Sequence, residues 1–156
     1  MIPTASLVQI KKELKFLSEE DLFNLVIRLA KLKKDNKELL SYLLFEADNE
    51  HQYVEGVKKH LDEEFASLNP GVYYAKKGLR KILRNLKKQI KYSGKKETEV
   101  ELLIYFCKKM KTSSIRFSSS TVLQNLYDNQ IKSIEKAIGK LHEDLQFDFK
   151  MMMEEL

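Results

Sequence analysis

At 156 residues, with 43% hydrophobic and 33% charged residues, the chain is long enough to bury a core and too apolar to be disordered. Two prolines and five glycines are too few for the many turns of an all-β fold, and no apolar run approaches a membrane span. The net charge of +5 permits an anionic partner without demanding one.

The opening stretch, MIPTASLVQIKKELK, lacks an apolar run long enough for a signal-peptide core. Cys107 is the single cysteine, so no intrachain disulfide is possible, which fits a reducing compartment. A cytoplasmic protein is expected, with no membrane partner.

Ser6 is placed to cap a short first helix, with Leu7, Ile10, Leu14 and Leu17 on its inner side. Ser18 with Asp21 three residues on resembles a capping box and starts a second helix to about Leu32, buried along Leu22, Leu25, Val26 and Leu29. Lys31, Lys33 and Lys34 suit its C-terminal end. After a break at Asp35-Asn36, a third helix from about Lys37 to Ala47 is apolar almost all round. Helices of that kind are central in packing, so Leu40, Leu43 and Leu44 are expected to be the most buried segment.

A fourth helix follows Asp48-Asn49 and runs to Leu68, with Tyr53, Val54, Val57, Leu61 and Phe65 inward. Asn69-Pro70-Gly71 is the clearest turn in the chain, with Pro70 suited to the first helical position. The fifth helix, to about Tyr92, carries two characters at once. Val72, Ala75, Leu79, Ile82, Leu83, Leu86 and Ile90 line one face at steps of three and four. Lys76, Lys77, Arg80, Lys81, Arg84, Lys87, Lys88 and Lys91 fill the adjoining arc, with Tyr73 at its head and Tyr74 and Tyr92 flanking it. No acid occurs between Pro70 and Tyr92. Gly78 inside this helix costs about 1 kcal/mol against Ala, which points to a close helix contact there. Ser93-Gly94 ends it.

The sixth helix spans about Glu97 to Lys111, with Val100, Leu103, Ile104, Phe106, Cys107 and Met110 apolar. Seven of the ten residues from Thr112 to Thr121 are Ser or Thr, which reads as a loop, pinned by Ile115 and Phe117. The last helix is expected from about Thr121 to Leu145. Its residues Leu123, Tyr127, Ile131, Ile134, Ile138, Leu141 and Leu145 approach a heptad seam. That seam serves either an intramolecular bundle or self-association through the long C-terminal helix.

The segments FLSEEDLFNLVIRLAKLKKDNKELLSYLLFEA, KKETEVELLIYFCKK and NQIKSIEKAIGKLHEDLQFD resemble an uncharacterised all-helical bacterial family. The resemblance covers most of the chain, implies a helical fold and carries no activity with it. Leu7 to Leu29 has a weaker likeness to short helix-pair modules that grip DNA, but lacks their glycine-containing turn.

No reaction is named by a motif. His51, His60 and His142 lie in no HExxH, and no Gly-rich phosphate loop or GxSxG occurs. Cys107 falls in an apolar stripe, as a structural thiol does. No catalytic residue, metal ligand or cofactor is assigned, and an enzyme is not expected. The basic arc of the fifth helix either tracks a phosphate backbone or is neutralised by the acidic fourth helix and its entry: Glu46, Asp48, Glu50, Glu55, Asp62, Glu63 and Glu64. The expected fold is all-α, about seven helices in an irregular bundle or short α-α superhelix, as one domain over residues 1–147 with a frayed tail over 148–156. The expected function is a non-enzymatic interaction or scaffold protein, with nucleic-acid binding through the helix at about 70–92 as the alternative.

Overall fold

The computed structural model describes residues 1–156 and is all-helical, with eight α-helices and no strand. Its packing divides into two compact units, residues 1–44 and 45–156.

The first unit holds α1 (Leu7–Leu14), α2 (Glu19–Leu32) and α3 (Lys34–Ser41). Its helix starts are set by local chemistry. The Ser6 hydroxyl accepts from the Gln9 amide at 3.3 Å, and the Gln9 side chain accepts from the Ser6 amide at 2.9 Å, a complete capping box. Ser18 accepts from the Asp21 amide at 3.1 Å to open α2. Lys33, in an extended conformation, separates α2 from α3, and the Asn36 side chain donates to the Leu29 carbonyl at 2.8 Å to tie the pair together.

From α3 the chain passes into a single π-helical turn, Tyr42–Glu46. The expected central third helix is not found. Tyr42 is the only buried residue of the first unit, while Leu43, Leu44 and Phe45 are 55, 64 and 76% exposed. An apolar run reports a preference for burial; it does not supply the second layer that would cover it.

The second unit comprises α4 (Glu50–Ala66), α5 (Val72–Ser93), α6 (Lys96–Thr112), a 3₁₀ turn (Phe117–Ser119), α7 (Thr121–Ile138) and α8 (Glu143–Glu154). Here α6 is the central helix, packed on by α4, α5, α7 and α8. Val100, Leu102, Leu103, Ile104, Phe106, Cys107 and Met110 are all buried, over more than half of its circumference, while Glu101, Tyr105, Lys108 and Lys109 on the remaining side are half-buried. Phe106 meets Phe65 of α4 edge to face, with ring centroids 5.6 Å apart.

Each remaining turn has a physical cause. The Asn69 side chain accepts from the Gly71 amide at 2.9 Å, and Gly71 caps α5, so Pro70 lies just outside the helix instead of at its first position. A β-carbon at Gly78 would overlap a δ-methyl of Leu68; this is the close contact that the missing side chain permits. Gly94 ends α5 at φ 69°, in the left-handed region that suits glycine. In the Ser/Thr loop Ile115 is buried and Phe117 stacks on Tyr127 at 5.1 Å.

The expected long last helix is instead two. α7 stops at Ile138, Gly139 follows, and the His142 side chain accepts from the Asp144 amide at the start of α8. Leu123, Tyr127, Ile134 and Ile138 are buried inside the unit, and α7 lies against α6. The heptad-like seam is thus taken up within the chain and is not free for self-association. Residues 148–154, expected as a frayed tail, belong to α8. Phe149 is buried in the core, and Lys108 of α6 reaches Glu155 at 3.4 Å.

Candidate nucleic-acid interface

Several acids of α4 have partners away from the exposed cations of α5. Lys58 lies 3.2 Å from Glu55 and 2.7 Å from Glu101 of α6, above the Tyr105 ring. Burial works against the Lys58 ammonium, but the hydrogen bonds and charges of Glu101 and Glu55 more than offset it, and its pKa is raised. Asp62 accepts from the Tyr105 hydroxyl at 2.7 Å and faces Lys109 at 3.0 Å. The Tyr105 hydrogen bond, opposed by partial burial and aided by Lys109, holds the Asp62 carboxyl below its ordinary 3.8. Burial and the Asp62 carboxylate push the Tyr105 hydroxyl to about 12.

Further along α4, Glu63 and Glu64 flank His60 at 3.9 and 3.7 Å. At the N-terminal end Glu50 accepts from Thr98 at 2.8 Å and pairs with Lys95 at 3.4 Å. Asp62 is thus directed at α6, Glu55, Glu63 and Glu64 at α4 itself, and Glu50 at Thr98 of α6, at Lys95 and at Ser93, the last residue of α5.

That leaves α5. Lys76, Lys77, Arg80, Lys81, Arg84, Lys87 and Lys91 make no ion pair in the structure. Lys77, Arg80, Lys81, Arg84, Lys87 and Lys91 are exposed and Lys76 is half-buried. Lys88 is half-buried and engaged within the fold, as is Tyr92. The opposite side of the helix, from Ala75 to Ile90, is locked in the core. This anchors the basic arc on a rigid rod, and the charges stretch about 22 Å from Lys76 to Lys91 at the helical rise.

Two features give the arc shape. Arg80, Arg84, Lys87, Lys88 and Lys91 surround a shallow hollow of about 400 Å³ with Leu83 at its floor. At the N-terminal end Tyr73 is 80% and Tyr74 61% exposed, their rings edge to face at 5.3 Å. All of the predicted face residues thus lie on one element, with Lys88 and Lys76 less open than the rest. What spacing alone missed is Leu83, which sits between the core and the basic rows.

No three His, Cys, Asp or Glu side chains gather in an arrangement for a metal ion. Cys107 is fully buried, and burial pushes its thiol to about 12. The folded protein is expected to leave Cys107 unmodified by a thiol reagent at mildly alkaline pH and to release it to full reaction in denaturant. Rapid modification of the folded chain would contradict this burial. No helix is long and apolar enough to cross a membrane. No protein-family model, curated protein or solved structure matches this chain.

Proposed function

We propose that the protein is a non-enzymatic nucleic-acid-binding protein that holds a single strand along α5. The observation carrying this reading is the row of exposed cations on α5 that make no ion pair, Lys77, Arg80, Lys81, Arg84, Lys87 and Lys91, while Asp62 of the neighbouring acidic helix is held by Tyr105 and Lys109 of α6. Like charges three and four residues apart on a helix repel by a few tenths of a kcal/mol per pair. An anion laid along the arc removes that penalty. At the roughly 3.4 Å rise per phosphate of one strand in a duplex, the 22 Å length of the arc spans about six phosphates, and fewer of a single strand whose bases are unstacked.

The exposed Tyr73 and Tyr74 favour a single strand over a duplex, because a splayed base stacks on an aromatic ring and a paired one does not. Fluorescence-anisotropy titration of a labelled oligonucleotide, single-stranded and then as a duplex, tests this reading. The single strand is expected to bind more tightly, and Tyr73→Ala with Tyr74→Ala to narrow the difference by about 1–3 kcal/mol per stacked base. Equal affinity for both forms, unchanged by the substitutions, would remove the stacking part of the proposal. The interaction or scaffold reading keeps support from a separate observation, the exposed apolar residues of α2 and α3.

A further inference from the structure

The first unit is a structure without a core of its own. Phe23, Val26, Leu29, Leu39, Leu43 and Leu44 are all exposed, and Tyr42 alone is buried. Val26, Leu29, Ala30, Leu39, Leu40 and Leu43 line an apolar groove of about 220 Å³ between α2 and α3. A packed helix pair with one apolar face is half of a two-layer arrangement. Leu25, Val26 and Leu29 of α2 and Leu39, Leu43 and Leu44 are each more than a third exposed, and a contiguous apolar patch beyond a few hundred Å² marks an interaction site.

We infer that the occupant of this face is the same face of a second copy of the chain, the two α2–α3 pairs stacking about a two-fold axis into a four-helix core. The charge pattern of α2 favours this partner. Its first turn carries Glu19, Glu20 and Asp21, and its far end carries Lys31, followed by Lys33 and Lys34. A two-fold axis crossing α2 near Leu25 and Val26 runs the two copies antiparallel. Each acidic end then lies beside the other copy's basic end, while Leu22 comes opposite Leu29 and Leu25 opposite Val26. An isologous interface needs such self-complementarity, and a parallel pairing would set acid on acid and lysine on lysine. None of Glu19, Glu20, Asp21, Lys31 or Lys33 has an ion pair within the chain.

Sedimentation equilibrium of the full chain, with and without Leu29→Glu plus Leu43→Glu, tests the inference. The unaltered protein is expected to be a dimer and the double variant a monomer that keeps its helical circular dichroism. Val26→Cys, placed near the axis, serves as the second variant if the first misfolds, since the buried Cys107 does not compete for oxidation. It is expected to cross-link to its own counterpart under mild oxidation. An unaltered chain that stays monomeric into the high micromolar range would overturn the inference in either of two ways. With the Val26→Cys thiol shielded from alkylation, another segment of the same chain covers the groove. With that thiol freely alkylated, the face belongs to a different protein. A dimer that survives the double substitution and gives no cross-link would place the interface elsewhere, and equally overturn it.

Discussion

Replacing Arg80, Arg84 and Lys87 together by Gln is expected to weaken oligonucleotide binding by about three orders of magnitude at 50 mM salt. Each phosphate contact contributes roughly 0.7–0.9 to the slope of log K against log salt. Over the interval from 1 M down to 50 mM, that slope amounts to about one logarithmic unit per contact. The three residues are exposed and make no ion pair, so the fold loses nothing with them. Thermal melts of the variant should match or slightly exceed the parent, because like-charge pairs along α5 have been removed. An affinity unchanged by the triple substitution would detach α5 from the binding.

The largest expected effect on stability lies in α6. Phe106→Ala removes a fully buried ring that meets Phe65 edge to face, and a Phe→Ala change at such a site costs about 3–5 kcal/mol. Against a typical total of roughly 5–15 kcal/mol, the variant stands near its unfolding threshold. Phe147→Ala, at an aromatic position 65% exposed on α8, is expected to change stability by less than about 0.5 kcal/mol. Urea unfolding followed by circular dichroism separates the two. Comparable losses at both positions would contradict the placement of α6 at the centre of the second unit.

The caps and turns were legible in the sequence because each is a short-range event. Ser6, Ser18, the Asn69–Gly71 turn and Gly94 all act within three or four residues of themselves, although the complete capping box forms at Ser6 with Gln9 and only its Ser18 half forms with Asp21. The amphipathic division of α5 was equally plain, since periodicity fixes which residues share a face. Periodicity does not fix how a helix is rotated against its neighbours. The acids of α4 were therefore visible while their partners were not: Asp62 is drawn to Tyr105 and Lys109 of α6, and Glu55 to Lys58 of α4 itself.

The choice of central helix was lost for a related reason. The runs Leu39–Phe45 and Val100–Cys107 are both apolar nearly all round. Only the second has helices placed about it, and that is a property of long-range packing. The division of the last helix into α7 and α8 had a local signal in Gly139, which a continuing apolar spacing to Leu141 and Leu145 masked. Exposure of the basic face depends on the same helix rotations, and Lys77, Arg80, Lys81, Arg84, Lys87 and Lys91 are exposed.

The salt dependence of binding to a single-stranded oligonucleotide tests the central claim most directly. For four or five phosphates neutralised along α5, log K is expected to fall linearly with log salt at a slope of about −3 to −4, which is roughly two orders of magnitude over a fourfold rise in salt. The Arg80→Gln, Arg84→Gln, Lys87→Gln chain should give a slope shallower by about two units. A flat dependence, or no association at low salt, would contradict the assignment of α5 as a nucleic-acid-binding surface.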